Sequence, residues 1–271
     1  MNNESSGWGS AARGAVALYV LGMIGVAALA IYSVPSLRSI PELAVLSYPT
    51  LVLIAAANST ILLAVFVALG AATAPRTGLH SHVFAWASGG TPDWDAYRRS
   101  LPLAVGLGAG LFGLVTVIDV AFTPFTELES VNPAGDAAAL EDLFASIPMR
   151  LLYGGITEEI LLRWGVMAPI VFVLWWVRNR VGERMEEPPA AVLWVAILAS
   201  AVAFGLGHLP ALASTFDLTP ALVVRTVLLN TIVGVALGWL FWRRSLETAM
   251  VAHAAFHVVL VGVSVVSMLL F

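Results

Sequence analysis

The sequence predicts an all-α, polytopic membrane protein, a transmembrane bundle of seven to eight helices. The chain has 271 residues, of which 59% are hydrophobic and only 11% are charged, and its mean hydropathy is +0.91. A soluble domain of this length carries about twice that charge. Several apolar runs exceed the length of about 18 residues that a membrane-spanning helix needs. Because these runs do not alternate between polar and apolar residues, they predict helices rather than the strands of a membrane barrel.

Seven stretches are long and apolar enough to form spans, at about 12–33, 44–71, 101–123, 155–178, 189–209, 220–242 and 247–270. Prolines, which end or begin helices, lie at or near the gaps between them: Pro35, Pro41, Pro75, Pro124, Pro188 and Pro220. The first run is longer than a signal-peptide core and lacks a convincing cleavage site, so we interpret it as a retained span. Residues 138–153 are shorter and mixed in character. They predict either an amphipathic helix on the membrane surface or an eighth, partly inserted segment.

The arginines predict the orientation, because basic residues accumulate on the cytoplasmic side of a membrane protein. Nine of them lie on one side of a seven-span model: Arg13, Arg76, Arg98, Arg99, Arg178, Arg180, Arg184, Arg243 and Arg244. Only Arg38, Arg150 and Arg225 lie near the other side, where residues 124–142 carry five acidic residues and no arginine. We therefore expect a multi-pass integral membrane protein with a cytoplasmic amino terminus, located in the cell membrane if the source is a prokaryote.

Composition also excludes several functional classes. The net charge is −4 and the arginines form no basic stripe, so we expect no binding to nucleic acid. The chain has no cysteine, which excludes disulfides, a cysteine nucleophile and thiolate metal ligands. No internal repeat suggests the inverted halves of a transporter, so residues 1–271 are interpreted as one domain. The sequence does not define the oligomeric state.

Two adjacent carboxylates, Glu158 and Glu159, and a nearby Arg163 lie in a stretch that would otherwise be apolar. Charged groups are costly in hydrocarbon and persist there when they are paired or when they perform chemistry. Glu159 and Arg163 are four residues apart and share a helix face, whereas Glu158 is rotated by about 100°. We expect Glu159 and Arg163 to neutralise each other while Glu158 faces a cavity as the reactive carboxylate. The alternative is a structural polar contact between helices that involves all three.

Three histidines also lie in or at the ends of apolar stretches. His208 ends one span, with Phe204 one turn before it on the same face, although a single histidine at a span end is also typical of the membrane interface. His253 and His257 are four residues apart, a spacing that lets two imidazoles reach one metal ion. The alternative for this pair is two polar contacts to neighbouring helices.

In this order, on successive apolar helices, these residues resemble the CPBP intramembrane protease family. This family contains the type II CAAX prenyl endopeptidases and bacteriocin-processing or self-immunity proteins. The matching block covers residues 154–257, and the first 140 residues carry no motif of the family. The resemblance implies an intramembrane endopeptidase with its active-site cavity inside the helical bundle. In that reading Glu158 is the water-activating glutamate, and His208 and His253 share its cavity.

The resemblance further assigns Glu159 and Arg163 as the supporting pair of the catalytic site. The sequence departs from the family at the last motif, which usually ends in an asparagine that donates a hydrogen bond to the oxyanion. Here that position is His257, whose ring can also donate a hydrogen bond.

Two mechanisms remain open for these residues. In the metal-free one, Glu158 deprotonates a water that attacks the scissile carbonyl, and His253 or His257 stabilises the negative charge. In the other, a metal ion, ordinarily zinc, polarises the carbonyl and lowers the pKa of the water. Its candidate ligands are Glu158, His208, His253 and His257. The implied substrate is a membrane-associated peptide or protein, with a prenylated carboxyl-terminal CAAX peptide as one candidate.

Two functions from other classes fit the same composition. One is a proton-coupled membrane transporter, which also places glutamate and histidine inside the membrane. The other is an inactive, protease-like scaffold or immunity protein, an alternative that the departure at His257 keeps open.

The seven-span model contains one conflict over depth. It places Glu158 and His208 near the arginine-poor side, whereas His253 closely follows a cytoplasmic turn. At 1.5 Å per residue their depths differ by about 15 Å. For these residues to meet, helix boundaries must shift, a helix must tilt, or the turn must lie deep in the protein.

Overall fold

The structure is a computed structural model that describes residues 4–126 and 137–270, and nearly all of these residues are helical. In chain order the α-helices are α1 (Glu4–Arg38), α2 (Pro41–Ala44), α3 (Tyr48–Thr73), α4 (His82–Ala87), α5 (Trp94–Phe122), α6 (Ala137–Pro148), α7 (Ala168–Val181), α8 (Ala190–Gly207), α9 (Leu209–Ala213), α10 (Pro220–Arg243) and α11 (Leu246–Leu270). Short 3₁₀ turns follow α3 (Ala74–Arg76) and α5 (Thr123–Phe125), and two π-helical segments, Met149–Thr157 and Ile160–Met167, lie between α6 and α7.

Seven helical stretches are long and apolar enough to cross a membrane: Gly9–Arg38, Tyr48–Arg76, Trp94–Phe125, Ala139–Val181, Ala190–Ala213, Pro220–Arg243 and Leu246–Leu270. The predicted class, a polytopic helical bundle, is therefore confirmed. The protein is an integral, multi-pass membrane protein, while its cytoplasmic amino terminus stays a prediction.

Polar side chains mark where several helices begin. In each case the side-chain oxygen accepts a hydrogen bond from the backbone N–H three residues later, which satisfies one of the free N–H groups of the first turn. These capping residues are Ser47 for α3, Ser81 for α4, Asp93 for α5, Thr219 for α10 and Ser245 for α11. Pro49 and Pro220 lie in the first turn of their helices, where a missing N–H has no cost.

The fourth span is the longest and differs from the sequence prediction. Residues 138–153 form neither a separate surface helix nor an eighth span; they are the first part of one helix that continues to Val181. The apolar stretch Ala139–Val181 has 43 residues. At 1.5 Å per residue it is about 60 Å long, twice the thickness of the hydrocarbon core, so it tilts strongly or extends beyond the bilayer.

The middle of this helix is π-helical. The N–H of Glu158 donates to the carbonyl of Tyr153, and the N–H of Ala168 donates to that of Arg163, in both cases five residues earlier. Such segments are rare and occur frequently at functional sites. The 3.6-residue period used for the sequence prediction is therefore interrupted on both sides of Glu158 and Glu159, which are themselves α-helical.

The first two spans hold the π-helical segment through close contacts. The hydroxyl of Thr157 donates to the carbonyl of Gly22 in α1 at 2.7 Å. The fully buried Trp164 donates from its indole N–H to the carbonyl of Val67 in α3 at 3.3 Å. Its ring occupies the space that a side chain at Gly70 would fill. The amino-terminal part of the chain, which carries no family motif, thus positions the helix that does.

A similar close contact joins α5 to α11. A Cβ atom at Gly108 would collide with the carbonyl oxygen of Ala252 and would lie 2.9 Å from the Cβ atom of Ala255. We expect Gly108→Ala to lower the free energy of unfolding by about 1–3 kcal/mol, as overpacking does elsewhere. Gly110→Ala, in the same helix, is the control because nothing lies within 4 Å of the added atom. Thermal unfolding of the detergent-solubilised protein measures both, and equal midpoints for the two variants would contradict this packing.

The structure resolves the conflict over depth. Helices α8 and α10 run antiparallel, with Ile197 beside Gly238 and Ala201 beside Gly234. The fourth span begins at Ala139 rather than at residue 155, so Glu158 lies well inside it instead of at its end. His253 lies within α11, and its ring contacts that of Phe204 in α8. A shift of helix boundaries, one of the three expected solutions, is therefore what the structure shows.

Candidate intramembrane active site

Glu159 is the central buried group of the site. One of its carboxylate oxygens lies 2.8 Å from Nδ1 of His253, and the other lies 3.2 Å from Nε of Arg163. The Glu159 side chain is 0% exposed and that of Arg163 is 1% exposed. A carboxylate accepts hydrogen bonds only, so Nδ1 of His253 donates and Nε2 points away from the pair. The expected ion pair between Glu159 and Arg163 is present, and it also orients a histidine 94 residues away.

Arg163 is held by contacts from two other helices. Its Nη2 donates to the carbonyl of Gly234 in α10 at 3.2 Å. The guanidinium carbon lies 4.8 Å from the ring centroid of Phe204 in α8, which is within the range of a cation–π interaction. The arginine thus links the motif helix to α8 and α10, and through Glu159 to α11.

His208 is fixed by its own helix end. Its Nδ1 lies 2.8 Å from the carbonyl oxygen of Phe204, so Nδ1 donates and Nε2 is left for another partner. The rings of His208 and Phe204 meet edge to face, with centroids 4.7 Å apart. Phe204 also contacts His253 edge to face at 5.7 Å. Buried Phe204 therefore packs against both His208 and His253, whereas the sequence indicated this contact for His208 alone.

Glu158 is the carboxylate of the cluster that no described side chain binds. Its side chain is half-buried, and within the described residues it takes part in no hydrogen bond or ion pair. It lies within electrostatic range of His208 and His253, and of the pair Glu159 and Arg163. The two adjacent glutamates therefore have different surroundings: one is fixed in a buried network and the other is available to bind water or substrate.

His257 lies beside His253. Their rings stack, with centroids 4.9 Å apart and planes inclined by 23°. Nδ1 of His257 is buried and has no hydrogen-bond partner among the described residues. A Cβ atom at Gly154 would lie 2.7 Å from Nε2 of His257. Glycine at position 154 therefore leaves the space that the imidazole occupies.

All six predicted site residues thus gather in one cluster: Glu158, Glu159, Arg163, His208, His253 and His257. The proposed metal ligands are a separate question. In residues 4–126 and 137–270, no three histidine, aspartate or glutamate side chains form a group that would hold a metal ion. The zinc alternative stays a prediction.

Sequence reasoning missed several polar groups around the cluster. Tyr153, five residues before Glu158 in the π-helix, lies within electrostatic range of it and close to the side chain of Ser59 in α3. Farther away, Arg225 of α10 makes two hydrogen bonds to Asp119 of α5, at 2.5 and 2.8 Å. The partners of this ion pair are 106 residues apart in sequence, so no local spacing predicts their contact.

Hydrogen bonds join the start of α11 to the start of α4, a contact called the latch below. The carboxylate of Glu247 accepts hydrogen bonds from the hydroxyl of Ser81 at 2.5 Å and from the backbone N–H groups of His82 and Val83, both at 3.0 Å. The N–H of Leu246 donates to the carbonyl of His80 at 3.1 Å. Burial lowers the pKa of His80, and His82 lowers it further, while Glu247 opposes the shift. Since Glu247 lies six residues before His253, this latch fixes the helix that carries two site histidines.

We expect Glu247→Ala to lower the free energy of unfolding by about 1–3 kcal/mol, because it leaves one hydroxyl and two N–H groups unsatisfied in a buried place. Thermal unfolding in detergent measures the change. Glu42→Ala is the control, because Glu42 is an exposed residue in the first turn of α2. Equal stability of the two variants would show that the latch does not hold α11.

Comparison with known proteins identifies one family. The family model described as "Type II CAAX prenyl endopeptidase Rce1-like" matches residues 140–259, somewhat less than half of the chain. The matched region begins in α6 and ends in α11, and it contains the whole cluster of site residues. No curated protein and no solved structure matches the chain.

Proposed function

We propose that the chain is an intramembrane endopeptidase of the CPBP family, because its residues 140–259 match the Rce1-like family model. Its substrate would be a membrane-associated peptide or protein, and a prenylated carboxyl-terminal CAAX peptide is the first candidate that the family description suggests. The observation that carries the proposal is the arrangement of Glu158, an uncommitted carboxylate beside the oriented imidazoles of His208 and His253.

In the proposed mechanism Glu158 accepts a proton from a water molecule, whose oxygen attacks the carbonyl carbon of the scissile peptide bond. The carbonyl oxygen becomes negatively charged and is stabilised by hydrogen bonds from His253 or His257. The carbon–nitrogen bond then breaks, and the protonated Glu158 gives its proton to the departing amine. One water is consumed, and one carboxylic acid and one amine are formed.

Each neighbouring residue has a defined part in this mechanism. Glu159 holds Nδ1 of His253, so that Nε2 faces the reacting carbonyl. Phe204 orients His208 and shields the cation of Arg163. Water and protein side chains suffice for every step. The zinc alternative requires Glu158, His208, His253 and His257 as ligands, and in the described residues no three such side chains are grouped as a metal ion needs.

The proposal is tested with purified protein in lipid nanodiscs and a farnesylated peptide that ends in a CAAX sequence. A palmitoylated peptide of the same sequence tests the need for a prenyl group. In water enriched with ¹⁸O, hydrolysis would place one heavy oxygen in the new carboxyl group, which mass spectrometry detects. If neither peptide is cleaved, the proposal fails and the inactive scaffold becomes the better account.

Metal analysis of the same preparation, with His253→Ala and His257→Ala beside it, tests the zinc alternative.

A further inference from the structure

Arg150 is a charged residue inside the fourth span to which the proposed mechanism gives no role. It lies in the first π-helical segment, eight residues before Glu158 on the same helix, and its side chain is half-buried. Ionisable residues within membrane spans are rare, and they usually pair with one another or mark a functional site. Arg150 makes no ion pair within 4 Å in the described part of the chain, where the arginine pairs are those of Arg98, Arg163 and Arg225.

The surrounding contacts orient Arg150 without neutralising it. Its Nε donates to the hydroxyl of Ser146 at 2.9 Å, and that hydroxyl, 0% exposed, donates to the carbonyl of Leu143 at 2.7 Å. Asp142 accepts hydrogen bonds from Tyr32 instead, at 3.4 Å to each carboxylate oxygen. Among the described residues neither terminal nitrogen of the guanidinium makes a hydrogen bond, so both can bind a ligand.

The position of Arg150 relative to the cluster is also informative. It lies within electrostatic range of His257, so its charge acts at the edge of the proposed active site. Glu158 follows Arg150 by eight residues on the helix, so the two positions are about 12 Å apart along the helix axis. An extended peptide advances about 3.3 Å per residue, so three to four residues cover that distance.

From these contacts and distances we propose that Arg150 binds the terminal carboxylate of the substrate, three or four residues after the scissile bond. Two parallel N–H donors of a guanidinium match the two oxygens of a carboxylate, which makes arginine well suited to this task. This inference rests on the proposed function and narrows it: the enzyme would remove a short peptide from a carboxyl terminus rather than cut within a chain. The length agrees with a CAAX ending, in which three residues follow the cysteine.

The test is a binding measurement that needs no catalysis. Glu158→Gln protein in nanodiscs is titrated with a fluorescent farnesylated CAAX peptide, either with a free terminal carboxylate or with a terminal amide. The same titrations are made in the Glu158→Gln background with Arg150→Gln and with Arg150→Lys. Arg38→Gln is the matched control, because Arg38 ends α1 and lies over the ring of Tyr48, 5.9 Å from its centroid.

We expect amidation to weaken binding by about ten- to a hundredfold when Arg150 is present, as loss of hydrogen bonds to a charged group does. With Arg150→Gln the acid and the amide should bind within about twofold of each other, and with Arg150→Lys the difference should be intermediate. The Arg38→Gln protein should discriminate as strongly as the parent.

Equal discrimination in the parent and Arg150→Gln proteins would overturn the inference, as would no discrimination or no binding in the parent. A loss of affinity for both peptides in Arg150→Gln, with the acid–amide difference kept, would assign Arg150 a structural or lipid contact instead. Cleavage by wild-type protein is measured separately. If the difference between acid and amide binding depends on Arg150 but the peptide is not cleaved, only the proposed function is contradicted. If the peptide is cleaved but binding shows no such difference, only this inference is contradicted.

Discussion

Glu158→Gln is expected to reduce peptide hydrolysis by about 10²–10⁴-fold, the usual contribution of a general base. The amide has nearly the same shape as the carboxylate but cannot accept the proton of the attacking water. Because Glu158 makes no hydrogen bond or ion pair in the described structure, its replacement should leave the stability of the protein almost unchanged. The rate of product formation from the farnesylated peptide in nanodiscs measures the effect, with thermal unfolding beside it.

Glu141→Gln is the matched control for this prediction. Glu141 belongs to the same continuous helix, but its side chain is exposed and lies outside the cluster. Its replacement should change neither activity nor stability. Hydrolysis by Glu158→Gln at the wild-type rate would remove Glu158 from the role of base.

The second large effect is expected at Arg163. Replacement of Arg163 by methionine leaves the carboxylate of Glu159 buried with only one neighbour, His253. Breaking a buried ion pair by removing one partner typically costs about 3–5 kcal/mol, because a charge remains without compensation. We therefore expect Arg163→Met to lower the free energy of unfolding in detergent by about that amount.

Two further variants separate this cause from a loss of packing. In Glu159→Gln/Arg163→Met no ionised carboxylate remains at position 159, so the double variant should be more stable than Arg163→Met alone. Arg98→Met removes an exposed ion pair with Asp95 and should have no measurable effect. If the double variant were less stable than Arg163→Met, the buried charge would not be the source of the loss.

The fold was largely predictable because hydropathy and length alone identify membrane spans. The π-helical segment around Glu158 was not, because no residue pattern distinguishes five-residue hydrogen bonds from the usual four. For the same reason residues 138–153 were assigned to a separate element, although their helix continues through Pro148 without a break. Mixed polarity suggested a surface segment; Glu141 and Asp142 are exposed, whereas Ser146 is fully buried and accepts a hydrogen bond from Arg150.

The candidate site was predictable where its residues share a helix. The pairing of Glu159 with Arg163 follows from their spacing and is seen in the structure at 3.2 Å. Contacts between distant parts of the chain were not predictable from one sequence. The latch between Ser81 and Glu247 joins residues 166 apart, and the contact between Glu159 and His253 joins residues 94 apart.

The central claim is that Glu158 and His253 act together as one hydrolytic site, and a double-mutant comparison tests it most directly. Hydrolysis of the farnesylated peptide is measured for Glu158→Gln, His253→Ala and the double variant, with thermal unfolding to establish that each one folds. Catalytic residues that act as a unit are strongly non-additive. We predict that the double variant retains the activity of the weaker single variant, within about threefold. Losses that multiply in the double variant, or full activity in either single variant, would contradict the claim.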